Sequence, residues 1–136
     1  MFDIDKIEAS AQNTFDLNVG QDEEGRPVGF RVVGTASEQY ERADRAIQLM
    51  NVKEMSQREG PLDLSTDDGA EIAVEGGAQR RDIIIRECVV DWFGFTANGE
   101  PAPFNQENLE RILKRRPQWR TKILAAIEDD ANFTGG

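Results

Sequence analysis

Thr14-Phe15-Asp16-Leu17-Asn18-Val19 alternates apolar and polar side chains, and beyond Gly20-Gln21-Asp22-Glu23-Glu24-Gly25-Arg26-Pro27 the chain resumes with Val28-Gly29-Phe30-Arg31-Val32-Val33. Alternation of this kind puts the apolar side chains on one face of an extended strand, so both segments predict half-buried strands. The turn-rich link joins them as a β-hairpin with an open loop rather than a tight two-residue turn. A lone hairpin is marginal in water. This one must pack on helices or pair with a further strand.

Upstream, residues 1–13 are polar with scattered apolar positions and predict a flexible arm or a short helix. The opening Met1-Phe2-Asp3-Ile4-Asp5-Lys6 has neither a basic n-region nor an apolar h-region, so no signal peptide is expected. Downstream, Gly34-Thr35-Ala36-Ser37 ends the hairpin and starts a helix. Thr35 or Ser37 serves as its N-cap, with Glu38 and Glu41 favourably placed in the first turns. Tyr40, Ala43, Ile47 and Met50, widened by Ala46, fall on one helical face. That face is core, or else a partner surface using the adaptable Met50 and Met55. Gly60-Pro61 closes the element.

Ser65 or Thr66, ahead of Asp67-Asp68, marks a second helix start, and residues 70–93 are helix-compatible. Gly76-Gly77 costs about 1 kcal/mol per residue relative to alanine and predicts a break or hinge. After it, Ile84 or Ile85, Cys88, Val89 and Trp92 form the clearest apolar stripe, which predicts the central buried helix. Phe93 to Phe104 abandons that periodicity around Asn98-Gly99, a strong turn signal flanked by aromatic residues, giving a very small hairpin or a packed loop. Asn105 caps the next helix, whose stripe is Leu109, Ile112 and Leu113. Pro117 stops it and enters the first turn of another, carrying Trp119, Ile123 and Ile127 with Leu124 alongside. The short link makes these two helices an antiparallel or sharply angled pair. The expected fold class is α+β and mostly α-helical. It divides into a flexible arm over 1–13, a β-hairpin over 14–34 and a helical module of about four helices over 35–136. At 136 residues these form one compact domain.

The chemistry the chain lacks narrows its function. With no histidine it has no usual general base, no triad orienter and no commonest transition-metal ligand. Its one cysteine, Cys88, lies in an apolar run and reads as a small buried hydrophobe; it cannot form an internal disulfide or anchor a structural zinc site. No phosphate-cradling Gly-x-x-x-x-Gly-Lys-Ser/Thr loop and no dinucleotide fingerprint occurs. Asp63-Leu64-Ser65-Thr66-Asp67 lacks the alternating ligands, glycine and closing glutamate of a calcium loop. The carboxylate pairs Asp67-Asp68 and Asp129-Asp130 lie in polar segments and read as solvent-exposed. No enzyme, cofactor or metal is expected. No apolar stretch approaches the roughly 20 residues that span a bilayer, so no membrane partner is expected either.

The net charge of −10 disfavours general nucleic-acid binding, but the charge is segregated. Residues 1–30 hold seven acids and two bases. Residues 111–122 hold Arg111, Lys114, Arg115, Arg116, Arg120 and Lys122 with no acid, and Glu128-Asp129-Asp130 follows. Either these are solvated helix faces, or they are a matched surface for a partner or a second copy. Arg111, Lys114, Arg115 and Arg116 beside Trp119 are a set that grips single strands in other proteins, but Trp119 continues an apolar stripe. Arg115, Arg116 and Arg120 are the candidate partner-binding residues.

Val89-Val90-Asp91-Trp92-Phe93-Gly94, Asn98-Gly99-Glu100-Pro101, Pro103-Phe104, Asn105-Gln106-Glu107-Asn108-Leu109, Ile112-Leu113, Trp119, Ile123 and Asn132-Phe133 follow one another from Cys88 onward. This order of a tryptophan-ended helix, an Asn-Gly turn, a proline-aromatic entry, a capped short helix and a terminal helix ending in phenylalanine resembles the C-terminal module of tailed-phage tail assembly chaperones. Thr14-Phe15-Asp16-Leu17, Gly25-Arg26-Pro27-Val28-Gly29 and Val32-Val33-Gly34 are similar to that family's opening hairpin. On the resemblance, Trp92, Gly99, Phe104, Leu109, Trp119 and Phe133 define the module.

The resemblance implies a non-enzymatic morphogenesis factor. Such a factor binds the tape measure protein, keeps its long hydrophobic helices soluble and helps recruit tail tube protein. It also implies self-association into a homo-oligomer, a frameshift-extended longer form for which the Gly135-Gly136 end would be the short version, residence in the cytoplasm of the infected or lysogenic bacterial host, and absence from the mature virion. Two other readings compete: a structural virion component such as a connector or tail completion protein, and an acidic DNA-mimic inhibitor. The basic 111–122 segment argues against a continuous negative face of the second kind.

Overall fold

The hairpin is the organising element of the computed structural model, which describes residues 3–58 and 60–134. Strands β1 (Thr14–Gln21) and β2 (Pro27–Val33) pair antiparallel, with Phe15 opposite Val32 and Leu17 opposite Phe30. That register brings the alternating apolar residues of both strands to one face. The hairpin also gains a further strand: β3 (Val89–Phe93) lies against the other edge of β2, in the order β1-β2-β3. Phe30 faces Trp92, and Val32 faces Val89.

Strand β3 corrects the expectation that Val89 and Trp92 end the central buried helix, and it adds a strand of the main sheet to the module expected to be helical. The helix α3 (Asp67–Cys88) stops at Cys88, where Val89 N–H closes onto the Ile85 carbonyl. Val89-Val90-Asp91-Trp92-Phe93 is rich in β-branched and aromatic residues, which suit a pleated, half-buried surface. Val89 and Trp92 are three apart and would ordinarily point to opposite faces of a strand. A register shift opposite Arg31 and Val32 adds one residue to β3, so both side chains face the core. The spacing that imitates a helix is thus produced by a bulge.

The predicted break at Gly76-Gly77 is also absent, since α3 runs through both glycines. The Gly135-Gly136 end lies outside the described residues.

The remaining elements follow their caps. Residues Ile4–Ser10 form a short helix, α1, with Asp3 as its N-cap. Ser37, rather than Thr35, caps α2 (Glu38–Gln57), its buried hydroxyl accepting from Tyr40 N–H at 3.1 Å. Thr66, rather than Ser65, caps α3 by accepting from Gly69 N–H at 3.1 Å. Asn105 caps α4 (Gln106–Arg115), accepting from Asn108 N–H at 2.8 Å, and Pro117 occupies the first turn of α5 (Pro117–Glu128). Each side-chain cap stabilises its helix by roughly 1 kcal/mol. Between β3 and α4, Asn98 (φ 53°) and Gly99 (φ 82°) turn a very small hairpin, β4 (Thr96–Ala97) with β5 (Glu100–Pro101). Successive positive φ values are what a tight hairpin turn of this twist requires.

The architecture is therefore α+β and mostly helical, with the short α1 leading into the hairpin and four longer helices after it among the described residues. The core lies between the inner face of the sheet and the C-terminal half of α3 with α4 and α5. Phe30, Val32, Cys88, Leu109, Ile123 and Ile127 are its most deeply buried members. Full burial of one such aliphatic or aromatic side chain contributes about 1.5–3 kcal/mol. On the opposite face of the sheet, Arg31 stands between Asp16 and Asp91, its Nε donating to Asp16 at 2.9 Å.

Candidate partner-binding surfaces

Helices α2 and α3 form an antiparallel hairpin whose two halves differ. At the end nearest the sheet, Ala43, Ile85 and Cys88 are buried. Toward the connecting loop, the buried residues on the two helices are the glycines Gly69 and Gly76. The seam there is polar. Arg80 on α3 donates to Asn51 Oδ1 on α2 from Nε at 3.1 Å and from Nη2 at 2.6 Å, and lies 3.6 Å from Glu54.

Several large apolar side chains of this distal half are left exposed. Leu49, Val52, Met55, Ile72 and Val74 are all exposed, from 47 % at Ile72 to 72 % at Met55. Leu49, Val52 and Met55 recur every third residue, so they make a stripe that runs round α2 away from its Tyr40–Ala43–Ile47–Met50 face. Met55 ends that stripe at a groove of about 350 Å³ shared with Leu62 and Ile72. Of the two methionines considered for a partner face, Met55 is exposed and Met50 half-buried.

A second surface lies between the β4–β5 hairpin and helices α4 and α5. Trp92, Phe95 and Trp119 line one part of a groove of about 780 Å³, and Arg111, Lys114, Arg115 and Arg116 line another. Phe95 is the hub of this aromatic group, with ring centroids 4.6 Å from Trp92, 5.4 Å from Phe30 and 6.1 Å from Trp119. Trp92 is tied down at both ends: Nε1 donates to the Ala102 carbonyl at 3.1 Å, and Phe104 meets its ring edge-on at 5.6 Å. Among the described residues, none of the four basic side chains forms an ion pair.

The structure does not bring the three candidate arginines together. Arg115 and Arg116 line the aromatic groove, whereas Arg120 turns to α3 and pairs with Asp82. Of the six module residues, Trp92, Phe104 and Trp119 gather around Phe95 or Trp92, and Leu109 is buried in the same core. Phe133 is buried at the far end of that core, edge-on to Phe15 at 6.3 Å and against Gly34. Gly99 sits apart, exposed at its turn. Sequence reasoning missed the hub role of Phe95 and the exposure of Leu49, Val52, Ile72 and Val74. The available signal for the second was that all four fall outside the stripes assigned to the core.

Burial pushes the Cys88 thiol up to about 12, with the neighbouring Glu87 carboxylate adding to the shift. A thiol so held is a packing group rather than a nucleophile. Among the described residues, no cluster of three or more cysteines and carboxylates is arranged to hold a metal ion, and no helix is long and apolar enough to cross a membrane.

Compared with protein-family models, with curated proteins and with solved structures, the chain matches nothing in any of the three.

Proposed function

We propose that this chain is a non-catalytic phage tail assembly chaperone that binds the tape measure protein, keeps its hydrophobic helices in solution and helps recruit tail tube protein around it. The observation that carries this reading is the distal half of the α2–α3 hairpin, where Leu49, Val52 and Met55 on α2 and Ile72 on α3 are exposed. A stripe of this kind is what an amphipathic or apolar helix lies against, with adaptable methionine allowing many client sequences. The strongly acidic chain keeps such a complex in solution. The resemblance of the segment from Cys88 onward to tail assembly chaperones supplies the identity of the client.

Co-expression with the tape measure protein of the same genome tests the proposal. The chain carries the tape measure protein into the soluble fraction and co-purifies with it, while Val52→Glu with Ile72→Glu leaves it insoluble. A tape measure protein that stays insoluble beside the unaltered chain overturns the reading. Mass spectrometry of purified particles separates it from a structural virion component, which would be present in fixed copy number.

A further inference from the structure

The groove between the β4–β5 hairpin and helices α4 and α5 carries charge of one sign. Acids outnumber bases in the chain by 26 to 16, yet no carboxylate lines this groove, and its charged residues are Arg111, Lys114, Arg115 and Arg116. All four are exposed, and none forms an ion pair among the described residues. Glu110, on the same helix, lines a separate groove with Asp82 and Arg120 instead. Neutral partners hold two of the guanidinium groups: Arg111 Nη1 donates to Asn108 Oδ1 at 3.3 Å, and Arg116 Nη1 to the Arg115 carbonyl at 3.4 Å. A guanidinium has several further N–H donors, which are left for an anion.

Flat rings form much of the remaining wall. Trp119, whose spacing assigns it to the core, is only half-buried, and so is Phe95. Both rest on the buried Phe30, with centroids 5.9 and 5.4 Å from its ring, and they lie 6.1 Å from each other. That packing fixes their orientation while part of each ring lines the groove. Among the described residues of the lining, Ile112 is the one branched aliphatic side chain, so the site offers planes to stack on rather than a socket for a leucine or isoleucine. Cations beside fixed aromatic planes suit a single nucleic-acid strand, whose phosphates meet the cations while its unpaired bases stack on the rings. An acidic peptide would use the charge and leave the rings unfilled.

We infer that this groove is a binding site for single-stranded nucleic acid, with Arg111, Lys114, Arg115 and Arg116 on the phosphates and bases stacked against Trp119 and Phe95. A duplex fits poorly, because its bases are already stacked on one another. Asn108, the side chain suited to reading a base edge, is engaged at both ends by the Pro103 carbonyl and Arg111, so the site discriminates little between sequences. The net charge of −10 limits the affinity without moving the site: fields are screened over about 8 Å at physiological salt, so the groove's own cations dominate there. None of its lining residues belongs to α2 or α3. A bound strand therefore leaves the Leu49–Val52–Met55 stripe free, and the inference holds whether or not that stripe takes a tape measure helix.

Fluorescence anisotropy with end-labelled oligouridylate and oligothymidylate of about twelve nucleotides tests the site. The purified chain binds at micromolar concentrations in about 50 mM salt and about 50-fold more weakly in about 200 mM, as expected when four phosphates are neutralised. Arg115→Glu with Arg116→Glu binds roughly tenfold more weakly or worse, with unchanged circular dichroism. Stacking is read separately: the oligonucleotide quenches the tryptophan emission of the parent, and Trp119→Phe, which keeps a ring for the core, loses most of that quenching. Tighter binding of the uridine or of the thymidine strand names RNA or DNA as the ligand, and either upholds the site. No binding by the parent overturns the inference, as do equal affinity for a duplex, a charge-reversed variant that binds like the parent, or tryptophan emission that does not change. Polyglutamate that displaces the oligonucleotide charge for charge assigns the groove to an acidic protein and overturns it equally.

Discussion

The Arg80 guanidinium crosses from α3 to the Asn51 amide on α2, two donors converging on one oxygen at 2.6 and 3.1 Å. Where most helical hairpins close with interlocked aliphatic side chains, the distal half of this one carries a polar fork beside the small buried Gly76. The distal half is therefore held partly by polar contacts, while Leu49, Val52, Met55, Ile72 and Val74 stay exposed. Arg80→Ala should loosen that half alone. We expect faster amide exchange over 48–57 and 69–79 with little change in the sheet, and a loss of global stability of about 1 kcal/mol. Hydrogen-exchange mass spectrometry reads both regions in one experiment.

Trp92 joins the sheet, the β4–β5 hairpin and the start of α4. Trp92→Ala should cost about 3–5 kcal/mol by urea titration, since a buried aromatic is lost from a packed site. Trp92→Phe keeps much of the ring but ends the donation to the Ala102 carbonyl, for a smaller loss of about 1–3 kcal/mol.

Gly34 lies so close to Phe133 that an added β-carbon would stand 2.6 Å from the ring. Gly34→Ala should therefore destabilise by about 1–3 kcal/mol through overpacking. Shortening the partner relieves it, so Gly34→Ala with Phe133→Leu should cost less than the two single changes added together. A double-mutant cycle in urea measures the coupling.

Cys88 makes stability fall in alkali. The folded thiol keeps its proton up to about 12, whereas the unfolded one ionises near the ordinary 9.0. Between those values the unfolded state binds fewer protons, so stability is full below pH 9 and declines as pH rises, by roughly a kcal/mol per unit. The difference in that slope between the parent and Cys88→Ala isolates the thiol. An identical slope in both proteins would refute it.

The hairpin, the cap at Asn105, the entry of Pro117 into the first turn of α5 and the Asn98-Gly99 turn were all legible in the sequence, because each rests on local rules of alternation, hydrogen bonding or φ. The third strand was not. Its apolar residues have helical spacing only because of a bulge against Arg31 and Val32, a property of the pairing rather than of the segment. Gly76-Gly77 was misleading for a related reason. Gly76 is buried, and the Arg80 side chain lies over it, a β-carbon there standing 3.1 Å from Nη1. The small residue serves the crossing to Asn51, and helix propensity yields to that packing. At the groove, a linear count of basic residues grouped Arg120 with Arg115 and Arg116, but Arg120 sits in the helix beyond the Pro117 turn and faces α3. Periodicity locates an apolar stripe without saying whether a neighbour covers it, so the exposed face of α2 emerged only with the tertiary structure.

Hydrogen exchange on the chain alone and in complex with its tape measure protein tests the central claim most directly. The account predicts a soluble complex in which amides around Leu49–Met55 and Ile72 become protected while β1 and β2 are unchanged. No complex, or protection confined to surfaces away from the α2–α3 hairpin, would contradict it.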